Sequence, residues 1–322
     1  MAKLLEVKNL KVSFRQEEKQ VNTINGVGFT LNHGETLGIV GESGCGKSVT
    51  SLSVMGLLPK ENFTIEEGEI WFDGKNLLEM TDEEYCKIRG KEIAMIFQEP
   101  MTSLNPVFTI GNQLIETIME HSSLSKKDAF RRGVEMLKKV GIPRAEEIMS
   151  EYPHRLSGGM RQRVMIAMAM VLNPKLLIAD EPTTALDVTI QAQILDLMRS
   201  LKNELNTAII MITHDLGVVA EICDRVAVMY AGEIVEEGGI REIFKNPKHP
   251  YTLGLFQAMP SMREEQERLY SIPGSVPTPD EMPIGCRFAP RCEHAKPECH
   301  VQSPKRVQVG PDHSTCCWLY SS

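Results

Sequence analysis

The chain has 322 residues, 42% of them hydrophobic and 24% charged, and a net charge of −8 at pH 7. That is the composition of a globular protein with room for one large core and a smaller companion. The acidic total, and the lack of any run of five basic residues, weigh against nucleic acid as the main partner.

Charges at Lys3, Glu6 and Lys8 interrupt the N-terminus, so it does not read as a secretory apolar region. The apolar run Met165–Leu172 is far too short to span a bilayer. The chain is therefore expected in the cytosol, where its eight cysteines would be thiols or metal ligands rather than disulfides. A membrane role would come through contact with other subunits.

In chain order, Leu4–Val7, Lys11–Phe14 and Val27–Leu31 read as short strands, and Asn32-His33-Gly34-Glu35 turns into a buried strand at Leu37–Val40. Gly68–Phe72 ends in Asp73-Gly74, a hairpin signal, so an antiparallel sheet is expected beside the core. Ile93–Phe97 is another buried strand, ending at Gln98. From Thr109 to Met149 the spacing of Ile110, Leu114, Ile115 and Ile118, then of Phe130, Val134, Leu137 and Val140, is helical. A helix follows from Ser157 through Leu172, stopped by Asn173-Pro174. Leu176–Ala179 leads into Asp180-Glu181, Ile190–Leu205 is an amphipathic helix, and Ala208–Ile212 leads into Thr213-His214-Asp215. Ala227–Tyr230 and Glu233–Val235 pair around Ala231-Gly232. Alternating apolar strands and helices predict an α/β fold with a mainly parallel sheet, whose ligands bind at carboxyl strand ends such as Gly41, Gln98, Asp180 and His214. Beyond residue 240 lie eleven of the 18 prolines and five of the eight cysteines, a C-terminal module expected to be poor in regular structure.

The strongest motif is Gly41-Glu42-Ser43-Gly44-Cys45-Gly46-Lys47-Ser48, set between a strand and the helix-compatible Val49–Met55. This G-x-x-x-x-G-K-[ST] spacing marks a phosphate-binding loop, hence an ATP site of the P-loop NTPase class. Its glycines let backbone N–H groups curl around an anion at a helix N-terminus. Gly41, Ser43, Gly44, Cys45, Gly46, Lys47, Ser48 and Val49 form the expected cradle. Lys47 supplies a charge for the β- and γ-phosphates, and the Ser48 hydroxyl is placed for Mg²⁺. Of the acidic pair, one carboxylate suits Mg²⁺ coordination and its neighbour can polarise an attacking water.

The phosphate loop, Gln98, Leu156-Ser157-Gly158-Gly159, Asp180-Glu181, Ala185-Leu186-Asp187 and His214 occur in that order. Over residues 1–240 this set resembles the nucleotide-binding subunit of an ATP-binding-cassette (ABC) transporter. The resemblance implies a RecA-like core, an antiparallel β subdomain and a helical subdomain at about residues 100–172. It implies that Ser157, Gly158 and Gly159 complete the ATP site of a partner subunit in a head-to-tail dimer. It also assigns Glu181 as base or water-positioner, His214 as γ-phosphate contact, Asp187 as coupler of the two sites, and Ser48, Gln98 and Asp180 as Mg²⁺ residues. Phe14 stands where the family stacks an aromatic ring on adenine, usually tyrosine, and Met160 where most members have glutamine.

Asn246-Pro247-Lys248-His249-Pro250-Tyr251-Thr252 and Gln98-Glu99-Pro100-Met101-Thr102-Ser103-Leu104-Asn105-Pro106 are similar to segments of dipeptide and oligopeptide importer ATPases. That likeness implies uptake of short peptides, or of nickel chelates, as a peripheral subunit on the cytoplasmic side of the membrane. The partners would be two integral permease subunits, a second related ATPase, and indirectly an extracytoplasmic peptide-binding protein. A homodimer is the alternative for the isolated chain. In residues 241–322, Cys286, Cys292, Cys299 and Cys317 are four thiols on a Pro-rich scaffold that can hold a [4Fe–4S] cluster or zinc, with gaps wider than the C-x2-C pairs of zinc ribbons. Resemblance to the importer extension favours iron–sulfur and, from its Cys-Trp ending, Cys317 over Cys316. His294, His300 and His313 keep zinc as the second choice. Two rival readings are a soluble ABC-type ATPase acting on nucleic acid and a redox- or metal-sensing regulator.

Overall fold

The first elements are two 14-residue strands, β1 (Lys3–Gln16) and β2 (Lys19–Asn32). The computed structural model describes residues 3–16, 19–98, 103–184, 186–258 and 271–321. Glu99 to Thr102 and Ala185, parts of the motifs quoted above, lie outside the described residues. Two compact units divide the chain: Ala2–Asn32, Thr36–Glu79 and Ile212–Ser322 in one, His33–Glu35 and Met80–Met211 in the other.

In the first unit β1 pairs antiparallel with β2 and with β4 (Phe63–Phe72), giving the order β2-β1-β4-β5, where β5 is Lys75–Asn76. The short strands expected here are stretches of longer ones. What reads as a break is a bulge: Asn9 takes left-handed backbone (φ 45°) where the register shifts between Val7 and Leu10. Asp73 and Gly74, at φ 47° and 80°, make the expected hairpin turn.

The same unit holds a second, mixed set of strands. β3 (Thr36–Val40) runs parallel to β9 (Arg225–Tyr230), and β9 pairs antiparallel with β10 (Glu233–Gly239). β10 pairs in turn with β12 (His313–Thr315), and β12 with β11 (Val307–Gly310), both antiparallel. The mainly parallel expectation is corrected here. Apolar runs report burial on both faces but not strand direction, and the C-terminal hairpin joins by antiparallel pairing. Among the described residues after 240 regular structure is sparse, as expected: β11, β12 and the short helices Ile240–Lys245, Pro250–Gln257 and Pro297–Val301 are set among turns and loops.

In the other unit β6 (Ile93–Ile96) runs parallel to β7 (Leu176–Asp180), with Ile93 opposite Leu176 and Ile96 opposite Ala179. β8 (Ala208–Thr213) crosses the division between Met211 and Ile212. The helical stretch expected at 109–149 is broken into Ile110–Glu120, Lys126–Lys139 and Ala145–Ile148. Thr109 and Ser125 cap the first two, each accepting a backbone N–H from the third residue on. Ile110, Leu114, Ile118, Val134, Leu137 and Val140 are buried as their spacing requires, whereas Phe130 is 39% exposed. Among the described residues no helix is long and apolar enough to cross a membrane.

Candidate functional site

All five residues of β3 are buried, and the chain leaves its carboxyl end directly into the phosphate loop, which opens helix α1 (Lys47–Met55). Two glycines have no substitute here. A Cβ on Gly41 would stand 2.1 Å from the Met229 carbonyl oxygen, and one on Gly46, at φ 103°, 2.5 Å from Ile24 Cδ1. Gly46 caps α1 with no side-chain hydrogen bond, so the helix presents its N–H groups bare. The buried Lys47 donates through Nζ to the carbonyls of Gly41 at 2.7 Å and Glu42 at 3.0 Å. Its Nζ lies 3.7 Å from Cys45 Sγ, a fully buried thiol that burial keeps protonated by raising its pKa. Ser43 and Gly44 are exposed, Ser48 and Val49 half-buried. Phe14 is half-buried on β1, its ring 5.0 Å from that of Phe63. His214 is exposed just past β8, next to Asp215, which caps helix Leu216–Ile222.

In the other unit Asp180 ends the buried strand β7, 5% exposed. Glu181 follows in left-handed backbone (φ 48°), a conformation that costs a non-glycine residue energy and recurs at functional sites. Its Oε2 accepts from Gln98 Nε2 at 3.1 Å and from the Thr184 hydroxyl at 2.9 Å. Two of the predicted residues, Gln98 and Glu181, are thus brought into contact, and Thr184 joins them. The threonine is a local partner, three residues on from the glutamate in the same turn, whereas Gln98 is brought in from 83 positions away.

Ser157 caps helix α6 (Gly158–Met170), its hydroxyl accepting from Met160 N–H at 3.4 Å. Ser157 and Gly158 are exposed, and a Cβ on Gly158 would meet nothing within 4 Å. Gly159 is closer packed: a Cβ there would stand 3.1 Å from Ile190 Cγ2. Asp187, also exposed, caps helix α7 (Val188–Leu205) by accepting from Ile190 N–H at 3.0 Å.

Cys286, Cys292, Cys299 and Cys317 all line one cavity, beside His249 and His294. Cys316 instead donates its thiol to the Ile234 carbonyl at 3.4 Å. All eight cysteines are free. Burial pushes Cys286 up to about 12, and the neighbouring Cys299, Cys317 and Cys292 add to the shift. Burial likewise raises Cys292 and Cys317. Among the described residues no group of three or more His, Cys, Asp or Glu side chains is arranged to hold a metal ion.

Residues 24–184 match the ABC transporter family, and residues 235–299 the oligopeptide/dipeptide transporter C-terminal region. The chain is 54% identical to the oligopeptide transport ATP-binding protein AppD of Bacillus subtilis, over 99% of this chain and 98% of that protein. Against the oligopeptide transport ATP-binding protein OppD of Haemophilus influenzae it is 52% identical, again over 99% and 98%. This chain belongs to the ABC transporter family. Among solved structures, the dimeric post-hydrolysis ATP-binding cassette MJ0796, bound to ADP and Pi, matches this ABC chain with a TM-score of 0.65. That match has 30% identity and covers 74% of this chain and 99% of the other. An ABC nucleotide-binding fold, with a mixed sheet and helices, accounts for the strand–loop–helix at Gly41–Ser48 and for the acids that end β7.

Proposed function

We infer that this chain is the ATP-hydrolysing subunit of an ABC importer that drives oligopeptides across the cytoplasmic membrane. The observation that carries the reading is end-to-end similarity to oligopeptide transport ATP-binding proteins, including the C-terminal region. It acts as a peripheral subunit, on the cytoplasmic side, with two integral permease subunits. A second ABC ATPase completes the pair, and a peptide-binding protein outside the membrane delivers the cargo.

Each role follows from the chemistry of the side chain. The bare N–H groups of α1 and the charge of Lys47 receive the phosphates, and Phe14 offers a π-face to adenine. Mg²⁺ would neutralise charge on the phosphate oxygens, and Ser48, Gln98 and Asp180 are the residues that would hold it, directly or through water. Glu181 orients the attacking water, and its strained backbone and two hydrogen-bond donors hold the carboxylate in one place. His214 contacts the γ-phosphate and senses its loss. The exposed tip of α6, with Ser157, Gly158 and Gly159, stabilises charge on nucleotide held by a second copy or a related subunit. Asp187 links the two sites. Residues 1–240 form the ATPase, with a helical part at about 100–172, and residues 241–322 the extension.

The donor set Cys286, Cys292, Cys299 and Cys317, four thiols on one cavity, is one that a [4Fe–4S] cluster takes. Such a group would supply the positive charge that lets these buried thiols ionise and would tie together a segment rich in loops. Zinc is the second candidate. Iron, acid-labile sulfide and zinc analysis of anaerobically purified protein decides between them.

The central reading is tested with Glu181→Gln in the complete transporter. Phosphate release and labelled-peptide uptake should both fall by roughly 10²–10⁴-fold while ATP binding persists. Uptake unchanged in that variant would overturn the assignment.

A further inference from the structure

The phosphate loop is gripped from behind by the segment that carries two of the four cysteines. Glu42, the second residue of the loop, is held at three points. Its N–H donates to the Tyr251 hydroxyl at 2.9 Å, and its carbonyl accepts from Lys47 Nζ at 3.0 Å. Its carboxylate takes both prongs of the Arg291 guanidinium, at 2.7 and 3.1 Å.

Arg291 is itself immobilised. Its side chain is 4% exposed against 32% for Glu42. Its Nε donates to the Pro273 carbonyl at 2.7 Å, and the guanidinium stands 5.7 Å from the centre of the Tyr230 ring. It ends the short helical turn Ala289–Arg291 and is bonded directly to Cys292. Arg287, beside Cys286, works on the other flank. It donates to the Ala231 carbonyl and pairs with Glu233 at 3.2 Å. The next residue of that turn, Gly232, donates its N–H to the Cys45 carbonyl of the phosphate loop at 2.8 Å.

The chemistry explains why such a grip is needed. An acidic side chain in a loop that receives phosphate repels its ligand, and partial burial strengthens the repulsion. A planar guanidinium across both carboxylate oxygens cancels that charge and fixes the rotamer, which a flexible ammonium would not do. Because the Glu42 carbonyl also holds Lys47 Nζ, a fixed Glu42 means a fixed lysine.

We propose that Arg291 is a positioning residue of the phosphate loop: it neutralises Glu42 and pins the loop in its phosphate-receiving shape, so the C-terminal segment sets the affinity for MgATP. The proposal rests on the ATP-binding reading above.

The test is calorimetric titration of the full chain with MgATP and, separately, with AMP. Arg291→Met should weaken MgATP binding roughly tenfold, with AMP much less affected, because the loop serves the outer phosphates. Adding Glu42→Gln to that variant should restore binding to within roughly threefold of the parent, since the uncompensated charge is gone. Arg291→Lys keeps the charge but cannot span both oxygens, and a loss of roughly threefold is expected. That variant carries the test should Arg291→Met fail to fold. Arg306→Met, which breaks the 3.1 Å pair with Glu237 elsewhere in the segment, should leave MgATP affinity unchanged. Parent-like MgATP affinity in a folded Arg291 variant overturns the proposal, as does a loss that Glu42→Gln fails to reduce. A parent chain that binds no MgATP overturns the ATP reading itself and takes this proposal with it.

Discussion

Helices α1 and α6 both begin on glycine-rich turns, and they begin in opposite ways. The start of α1 is enclosed: Cys45, Gly46 and Lys47 are buried, Lys47 bonds back to the loop, and neither Gly41 nor Gly46 has space for a methyl group. The start of α6 is open: Ser157 and Gly158 are exposed, and a methyl on Gly158 would meet nothing. The N-terminus of a helix attracts anions in either setting. Enclosure suits the first to the phosphate cradle proposed for it, built from the loop's own groups. Openness suits the second to charge brought by another molecule, which is the role proposed for it.

The largest effect expected from breaking this contrast is at the enclosed end. Gly41→Ala drives a methyl against the Met229 carbonyl, so the loop has to shift, and MgATP affinity should fall on the order of 100-fold. Calorimetric titration of the purified chain reads this directly. Undiminished binding would mean that the cradle is far more plastic than its packing implies.

At the open end, Ser157→Ala removes the α6 cap at a cost of about 1 kcal/mol of stability, read by denaturant titration. In the assembled transporter, hydrolysis should drop roughly tenfold or more, while an isolated copy binds MgATP as before. Equal hydrolysis in variant and parent would sever α6 from the chemistry.

Acid should also separate the two ends. His249 lies behind the phosphate loop, its Nδ1 accepting from Tyr251 N–H at 3.1 Å, and burial lowers its pKa to about 3. An unfolded chain takes up this proton below the ordinary histidine value near 6.5, whereas the folded chain does not until about pH 3. Stability is therefore present above the unfolded value and lost as pH falls through this window, by up to about 1.4 kcal/mol per unit. Denaturant midpoints across that range should fall more steeply for the parent than for His249→Asn. Parallel curves would show that another group governs the acid limb.

The smallest effect is at the hydroxyl that accepts from Glu42 N–H. Tyr251→Phe keeps the ring packed against Tyr230, whose centroid is 4.6 Å away, and removes one acceptor. A loss of about 0.5–1.5 kcal/mol in stability and a few-fold in MgATP affinity is expected from denaturant and calorimetric titration.

Local pattern carries much of this molecule. Burial of Leu37, Ile39, Leu177, Ile178, Ile210 and Val228 follows from their apolar runs, and the Asp73-Gly74 turn from its residue types. Strand direction does not follow. The same apolar run serves β3, parallel to β9, and β9, antiparallel to β10. The continuity of β1 through Asn9 was hidden for a related reason, because one left-handed residue reads alike as a turn or a bulge.

By itself the sequence determined the class of chemistry: a G-x-x-x-x-G-K-S loop after an apolar strand and two acids after another. Each is a short-range arrangement whose chemistry depends on neighbours a few residues apart. Tertiary structure alone decided which distant groups support that chemistry. Arg291 reaches Glu42 across 249 positions, and Glu181 meets Gln98 across 83. Ion pairs and hydrogen bonds of that span leave no periodic trace in a chain, because what joins the partners is packing rather than spacing.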